Sequence, residues 1–218
     1  EALAAPLVRQ EAPSERGHVV TAVLALDGVS KAFGGLKVVD DVSFDVAEGA
    51  RFGLIGPNGA GKTTVFNLIS GVYPIDAGAI RLQGQDISAI PSRERIRRGL
   101  SRSFQNIRLM PHLSAVENVM LGQHARAAGL GALLTPIGWM PRGRWRREAE
   151  ALLEEAGLDI DPGEVVSALP YGIRKKIEVV RALASRPKLL LLDEPAAGLN
   201  PTETAELARF LRNIAASG

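Results

Sequence analysis

Apolar positions along this chain change period several times, and those changes predict its elements. Val23–Val29 and Val42–Val46 carry the dense apolar content of strands, with Gly34-Gly35 and Glu48-Gly49 as turns. Ala79-Ile80-Arg81-Leu82 continues them before Gly84, so an antiparallel β subdomain is expected. Arg51–Ile55 reads as a short buried strand, and Leu100–Phe104 as another. Lys188–Leu192 is a continuous apolar run of the kind found in a parallel sheet covered on both faces. Helical spacing begins at Thr64 and returns over Arg144–Ala156, where Leu152, Leu153 and Ala156 share a buried face, and over Thr202–Ala216. Ser114 with Glu117 makes a capping box that opens a helix through Gln123. Residues 1–22 read as a linker or disordered extension, since Glu1 to about His18 shows no period, and Gly129–Pro141 reads as an exposed irregular insert.

Between the strand Arg51–Ile55 and the helix from Thr64 lies Gly56-Pro57-Asn58-Gly59-Ala60-Gly61-Lys62-Thr63-Thr64. This spacing, G-x-x-x-x-G-K-[ST], is that of a phosphate-binding loop. Glycines let the backbone curl around an anion with no Cβ in the way, and the following helix adds its positive end. Lys62 is expected to reach the β- and γ-phosphates, and the Thr63 hydroxyl to hold Mg²⁺. Strand, glycine loop, helix is the order this chemistry requires. A glycine-rich connection with an incidental lysine is the bland alternative, and the flanking elements argue against it.

The run Leu189-Leu190-Leu191-Leu192 ends in Asp193-Glu194-Pro195. Carboxylates at the C-terminal end of a parallel strand face the crevice where open α/β sheets bind ligands. Asp193 is expected to accept a water bound to Mg²⁺, and Glu194 to orient and deprotonate the water that attacks the γ-phosphate. Alone, such an ending is an ordinary strand-to-turn junction; together with the upstream loop it points to a nucleoside triphosphatase.

These motifs, in this order, make the chain resemble the nucleotide-binding subunit of an ABC transporter from about Leu24 onward. Ser103-Phe104-Gln105-Asn106-Ile107-Arg108-Leu109, Leu169-Pro170-Tyr171-Gly172 followed by Arg174-Lys175-Lys176-Ile177-Glu178, and Asp193-Glu194-Pro195-Ala196-Ala197-Gly198-Leu199-Asn200-Pro201 are similar to the branched-chain (hydrophobic) amino-acid importers within that superfamily. The resemblance implies an α/β fold: a P-loop NTPase core sheet, an antiparallel β subdomain, and an α-helical subdomain over about residues 106–184 that contacts the membrane partner. It implies ATP and Mg²⁺ as ligands, with Phe33 stacking on adenine and Val38 beside it. Phe33 as a core side chain of an edge strand is the other reading. Gln105 is expected to touch Mg²⁺ and the attacking water, and Tyr171 and Gly172 to meet the nucleotide held by an opposing subunit.

The family's usual signature, Leu-Ser-Gly-Gly-Gln, is altered here. Pro170 replaces a serine and offers neither hydroxyl nor N–H, so recognition across the dimer is expected from the Gly172 backbone and the helix N-terminus. Pro170 also suits a helix entry, where no intrahelical donor is needed. The family's switch histidine lies beyond the helix after Asn200-Pro201; the histidines of this chain are His18, His112 and His124. Residues 23–218 are therefore expected to be a nucleotide-binding domain with its C-terminal part missing, a piece of a longer protein.

Composition narrows the partners. With 218 residues, 46% of them hydrophobic, the chain is long enough for a substantial core. It has no cysteine, which excludes disulfides and Cys-ligated zinc. A formal net charge of +2 is too small to argue for nucleic acid. No apolar run approaches the roughly 20 residues that span a bilayer. Association with the cytoplasmic face of a bacterial inner membrane would then go through permease subunits, with a second ATP-binding subunit alongside and a periplasmic substrate-binding protein engaged indirectly. Arg93, Arg95, Arg97, Arg98 and Arg102, and then Arg142, Arg144, Arg146 and Arg147, read as solvated basic faces, with contact to an anionic leaflet or a permease as the alternative. Lipid or lipopolysaccharide transport, a non-transport ABC ATPase and a non-hydrolysing regulatory module share most of these motifs.

Overall fold

The structure is a computed structural model, and it describes residues 7–11, 22–103, 108–127 and 142–217. The chain divides into two compact units, residues 1–98 and 99–218, each with its own sheet and core.

In the first unit, β2 (Ala22–Phe33) and β3 (Leu36–Ala47) form a long antiparallel hairpin, and β5 (Ala77–Leu82) and β6 (Gln85–Asp86) extend it in the order β3-β2-β5-β6. Leu24 lies opposite Val46 on one side and Leu82 on the other, so three buried side chains meet across three strands. This is the antiparallel subdomain expected from the sequence, with strands several residues longer than the apolar runs. A separate pair joins β4 (Arg51–Ile55) to β1 (Leu7–Glu11), antiparallel, from Leu7 opposite Ile55 to Glu11 opposite Arg51.

Two sequence expectations change here. Residues 7–11 are a strand and not unstructured lead-in, because the edge of β4 offers a row of backbone partners that local sequence cannot reveal. The rest of that extension lies outside the described residues. β4 itself alternates between exposed and half-buried positions, with Ile55 52% exposed, so it is not buried on both faces.

Helix α1 (Lys62–Ile69) packs through Val65, Leu68 and Ile69, and its C-terminal end is gripped by a side chain. Arg95, in α2 (Ser92–Arg97), is only 1% exposed. Its Nη1 donates to the carbonyls of Leu68 (2.6 Å) and Ile69 (2.9 Å), its Nε to Ile90 (2.7 Å) and its Nη2 to Ser88 (3.0 Å). Helices leave their last carbonyls without intrahelical donors, and a guanidinium there satisfies them and complements the negative end of the dipole. Burial lowers the Arg95 pKa below the usual guanidinium value, an effect partly opposed by Asp86. Arg95 is thus no part of a solvated basic face, whereas Arg93, Arg97 and Arg98 beside it are exposed.

The second unit holds β7 (Leu100–Ser103) parallel to β8 (Leu189–Leu192), in register from Leu100 opposite Leu189 to Ser103 opposite Leu192. The parallel pairing matches the sequence expectation, though of β8 only Leu191 is fully buried. Helices α3 (Ala115–Ala127), α4 (Arg142–Glu155), α5 (Tyr171–Leu183) and α6 (Pro201–Ser217) share a core that includes Val116, Val119, Leu153, Ile177, Leu207 and Phe210. The capping box is present: the Ser114 N–H donates to Glu117 Oε2 (2.8 Å), and the Glu117 N–H to Ser114 Oγ (3.3 Å). Asn118, fully buried, pins the preceding loop by accepting from the Met110 N–H (2.7 Å) and donating to the Met110 carbonyl (3.1 Å). The insert expected at Gly129–Pro141, with Leu130, Leu133, Leu134, Ile137 and Trp139, lies outside the described residues.

Replacing Arg95 with methionine keeps most of the volume but takes a charged donor from the buried Leu68 and Ile69 carbonyls and from the part-buried Ser88 and Ile90 carbonyls. The expected loss is about 3 kcal/mol of unfolding free energy, the scale of charged hydrogen bonds broken on one side. A urea titration should show a lower midpoint with an unchanged slope.

Candidate functional site

In the first unit, the end of β4 runs into a turn in which the Ala60 N–H returns to the Pro57 carbonyl (3.2 Å). Gly61 closes it as the N-cap of α1, in the left-handed region with φ 80°. A Cβ at Gly61 would sit 2.7 Å from the Val38 carbonyl oxygen, so the loop packs bare backbone against β3. The first α-helical bond is from the Val65 N–H to the Gly61 carbonyl (2.9 Å). The amides of Lys62, Thr63 and Thr64 therefore sit in the first turn, where a helix lacks internal acceptors and favours an anion. Lys62 Nζ donates to the carbonyls of Gly56 (2.6 Å) and Pro57 (2.8 Å), which places a positive charge on the curl of the loop itself. Pro57, Asn58, Gly59 and Thr63 are exposed; Gly56, Ala60, Gly61 and Thr64 are half-buried.

Phe33 ends β2 and is 40% exposed, not a core side chain. Its ring meets Tyr73 edge-on, with centroids 5.2 Å apart and planes at 74°, and Lys31 Nζ lies 5.5 Å from its centroid. Lys31 is itself tied to Asp76 at 2.6 Å, and the Ala32 N–H donates to the same carboxylate (2.8 Å). Those two bonds hold the Asp76 pKa below the usual carboxylate range. Nothing in the local sequence singled out Tyr73; its role beside Phe33 depends on β2 and the turn before β5 coming together.

In the second unit, Asp193 follows β8 directly and is buried. Its Oδ2 accepts from Arg102 Nη2 at 2.8 Å, and both side chains are under 10% exposed. Arg102 belongs to β7 and lies opposite Leu191. It is therefore not part of a solvated basic cluster, because the buried carboxylate requires a cation beside it. Glu194 is exposed and has φ 45°, a left-handed conformation unusual for a residue with a side chain. Such strain persists only where the surroundings impose it.

The segment after Glu194 is held against the start of α5. The Ala197 N–H donates to the Glu194 carbonyl (3.0 Å), and Tyr171 Oη donates to the Ala197 carbonyl (3.4 Å). Gly198 has φ 80°, and a Cβ there would lie 3.3 Å from the Tyr171 hydroxyl. Asn200 and Glu203 cap α6 reciprocally, at 2.9 and 3.0 Å. Pro170 is the N-cap of α5, and its carbonyl accepts from the Arg174 N–H (3.0 Å). Tyr171, grouped by resemblance with the nucleotide contacts, turns its ring onto its own chain, with Arg174 and Lys175 about the ring at 5.6 and 5.9 Å. Gly172 keeps a bare backbone on the first turn, with Glu203 Oε1 3.4 Å from where a Cβ would be.

Gln105, with Phe104, Asn106 and Ile107, lies outside the described residues. Its flanks are anchored: Ser103 pairs with Leu192, and Arg108 is tied to α5. The Arg108 N–H donates to Glu178 Oε1 (3.2 Å), and Arg181 Nη1 donates to the Arg108 carbonyl (2.6 Å). Burial lowers the Arg181 pKa, and Glu178, buried beside it, opposes that shift. Among the described residues, no group of three or more His, Cys, Asp or Glu side chains is placed to hold a metal.

With this geometry in hand, comparisons with known proteins are specific. The family model described as "ABC transporter" matches residues 39–197. The high-affinity branched-chain amino acid transport ATP-binding protein BraF of Pseudomonas aeruginosa is 38% identical over 195 residues, covering 88% of this chain and 76% of that relative. LivG of Escherichia coli K12, described in the same words, is 37% identical with the same coverage. Among solved structures, the ADP conformation of an ATP-binding cassette of an ABC transporter matches with a TM-score of 0.76 at 29% identity, over 90% of this chain and 78% of that one. A nucleotide-free ATP-binding cassette from an ABC transporter matches with a TM-score of 0.74 at 27% identity, over the same shares.

Gly198→Ala places a methyl against the Tyr171 hydroxyl at a backbone angle that disfavours side chains. A loss of about 1–2 kcal/mol in unfolding free energy is expected. Tyr171→Phe in the same chain should recover the part due to the hydroxyl contact, as read from a double-mutant cycle in denaturant.

Proposed function

The chain belongs to the ABC transporter family, and from that premise we propose that it is the ATP-binding and hydrolysing subunit of an importer of branched-chain or other hydrophobic amino acids. One observation carries the ATPase reading: the left-handed Gly61 turns three first-turn amides and the Lys62 ammonium onto a single curled loop. The substrate class rests on the likeness to BraF and LivG, which are branched-chain amino acid transport proteins.

In this reading the loop Gly56–Thr64 and Lys62 hold the phosphates of ATP, and the exposed ring of Phe33 stacks on adenine. Thr63 in the first unit offers a hydroxyl and Asp193 in the second a carboxylate, and each is the kind of hard oxygen donor that Mg²⁺ takes. When bound, Mg²⁺ would supply charge neutralisation on the phosphates. Glu194, exposed at the end of β8, takes the proton of the attacking water, and Gln105 orients that water. A second ATP-binding subunit, identical or related, completes each site with its own Gly172 backbone. The helical region, residues 106–184, passes closure to permease partners, which a periplasmic binding protein loads. No described helix is long and apolar enough to cross a membrane, so those partners would hold the subunit at the cytoplasmic face.

In the intact subunit, Glu194→Gln should lower kcat by about a hundredfold or more, the scale of a lost general base. The ATP-bound dimer should accumulate on size-exclusion chromatography. Unaltered turnover would remove Glu194 as the base. Lys62→Ala should act earlier and weaken ATP binding about tenfold to a hundredfold, the equivalent of one charged hydrogen bond. Equilibrium titration with a fluorescent nucleotide measures it.

A further inference from the structure

Arg102 has no role in the reaction as set out above, yet its guanidinium is the group bonded to the carboxylate expected to serve the metal. The pair spans two parallel strands. Arg102 sits in β7 opposite Leu191, two residues before Asp193, and its side chain extends to Asp193 Oδ2 at 2.8 Å. Both side chains are nearly out of solvent, at 9% and 8% exposure. A carboxylate this buried carries a heavy desolvation cost unless a cation compensates it.

We propose that Arg102 is a positioning residue for Asp193: it holds the carboxylate at the end of β8 and acts as a resident counter-cation that Mg²⁺ must share. This rests on the reading of Asp193 as the metal-serving carboxylate. A cation fixed beside an anionic ligand repels a second cation. Arg102 therefore sets the metal affinity of the site below what the carboxylate alone would give. It also aims Asp193 through the bond from Nη2 to Oδ2, because a rigid planar guanidinium fixes the direction of that bond where the flexible ammonium of lysine does not. The cost is weaker divalent binding, and the gain is a metal-serving carboxylate already in place.

The test uses the intact subunit with ATP and Mn²⁺ as the probe, followed by electron paramagnetic resonance so that the readout is independent of turnover. Arg102→Met and Arg102→Gln should each tighten Mn²⁺ about tenfold, the water-like limit for a unit charge about 6 Å from a divalent one. Arg102→Lys, which keeps the charge, should leave Mn²⁺ affinity within about twofold of the parent while kcat falls, since the rigid planar donor is lost. Wild-type Mn²⁺ affinity in both neutral variants overturns the inference, as does a lysine variant that binds Mn²⁺ like the glutamine one. If the methionine variant does not fold, the glutamine variant, which keeps a hydrogen-bond donor, decides. Asp193→Asn separates the two levels. If it leaves Mn²⁺ binding unchanged, the metal reading of Asp193 fails; if it abolishes binding while the neutral Arg102 variants behave as wild type, only the Arg102 inference fails.

Discussion

An isolated helix of eight residues is too short to be stable, so α1 exists because both of its ends are gripped. At the N-terminus Gly61 lies flat against the Val38 carbonyl, a fit that any Cβ would spoil. At the other end the Arg95 fork takes the last two carbonyls of the helix and ties them to Ser88 and Ile90. The glycine loop, residues 56–61, is the segment between β4 and this doubly anchored helix. Its curvature is therefore imposed from outside, by β3 on one side and the α2 region on the other.

The second unit follows the same logic with different parts. Two parallel strands present Asp193, and an ion pair across them compensates its charge. Beyond it, Glu194 adopts a strained backbone angle, and the next six residues are fastened to α5 through Tyr171 and to α6 through the Asn200–Glu203 cap. Strain of this kind needs a rigid surround, and here the surround is the start of two helices. Arg108, bonded to Glu178 and Arg181, ties the segment that follows Gln105 to α5. Glu194, α5 and Arg108 are joined within one unit by hydrogen bonds.

What the sequence disclosed and what it hid divide along physical lines. The glycine loop, the Ser114–Glu117 box and the Asn200-Pro201 helix entry are local, so spacing alone revealed them. The leucine run ahead of Asp193 was legible as a parallel strand because its composition is unusual. Arg95 and Arg102 were not legible. Each sits among other basic residues, and its burial is decided by partners far away in the chain: helix carbonyls near residue 68 in one case, Asp193 in the other. The strand at Leu7–Glu11 was hidden for the same reason, since its partner, Arg51–Ile55, lies far downstream. Tyr73 escaped notice because an aromatic beside Phe33 is a fact of packing and not of motif.

Pro170 caps α5 without any side-chain hydrogen bond. Whatever an anion finds at that helix start is therefore main chain, present for any residue that lets the helix begin. The segment can then change its side chains and still open the helix in the same way, because the opening depends on Pro170 backbone angles and not on a hydroxyl. A signature defined by spelling would overlook such a chain; one defined by backbone geometry would find it.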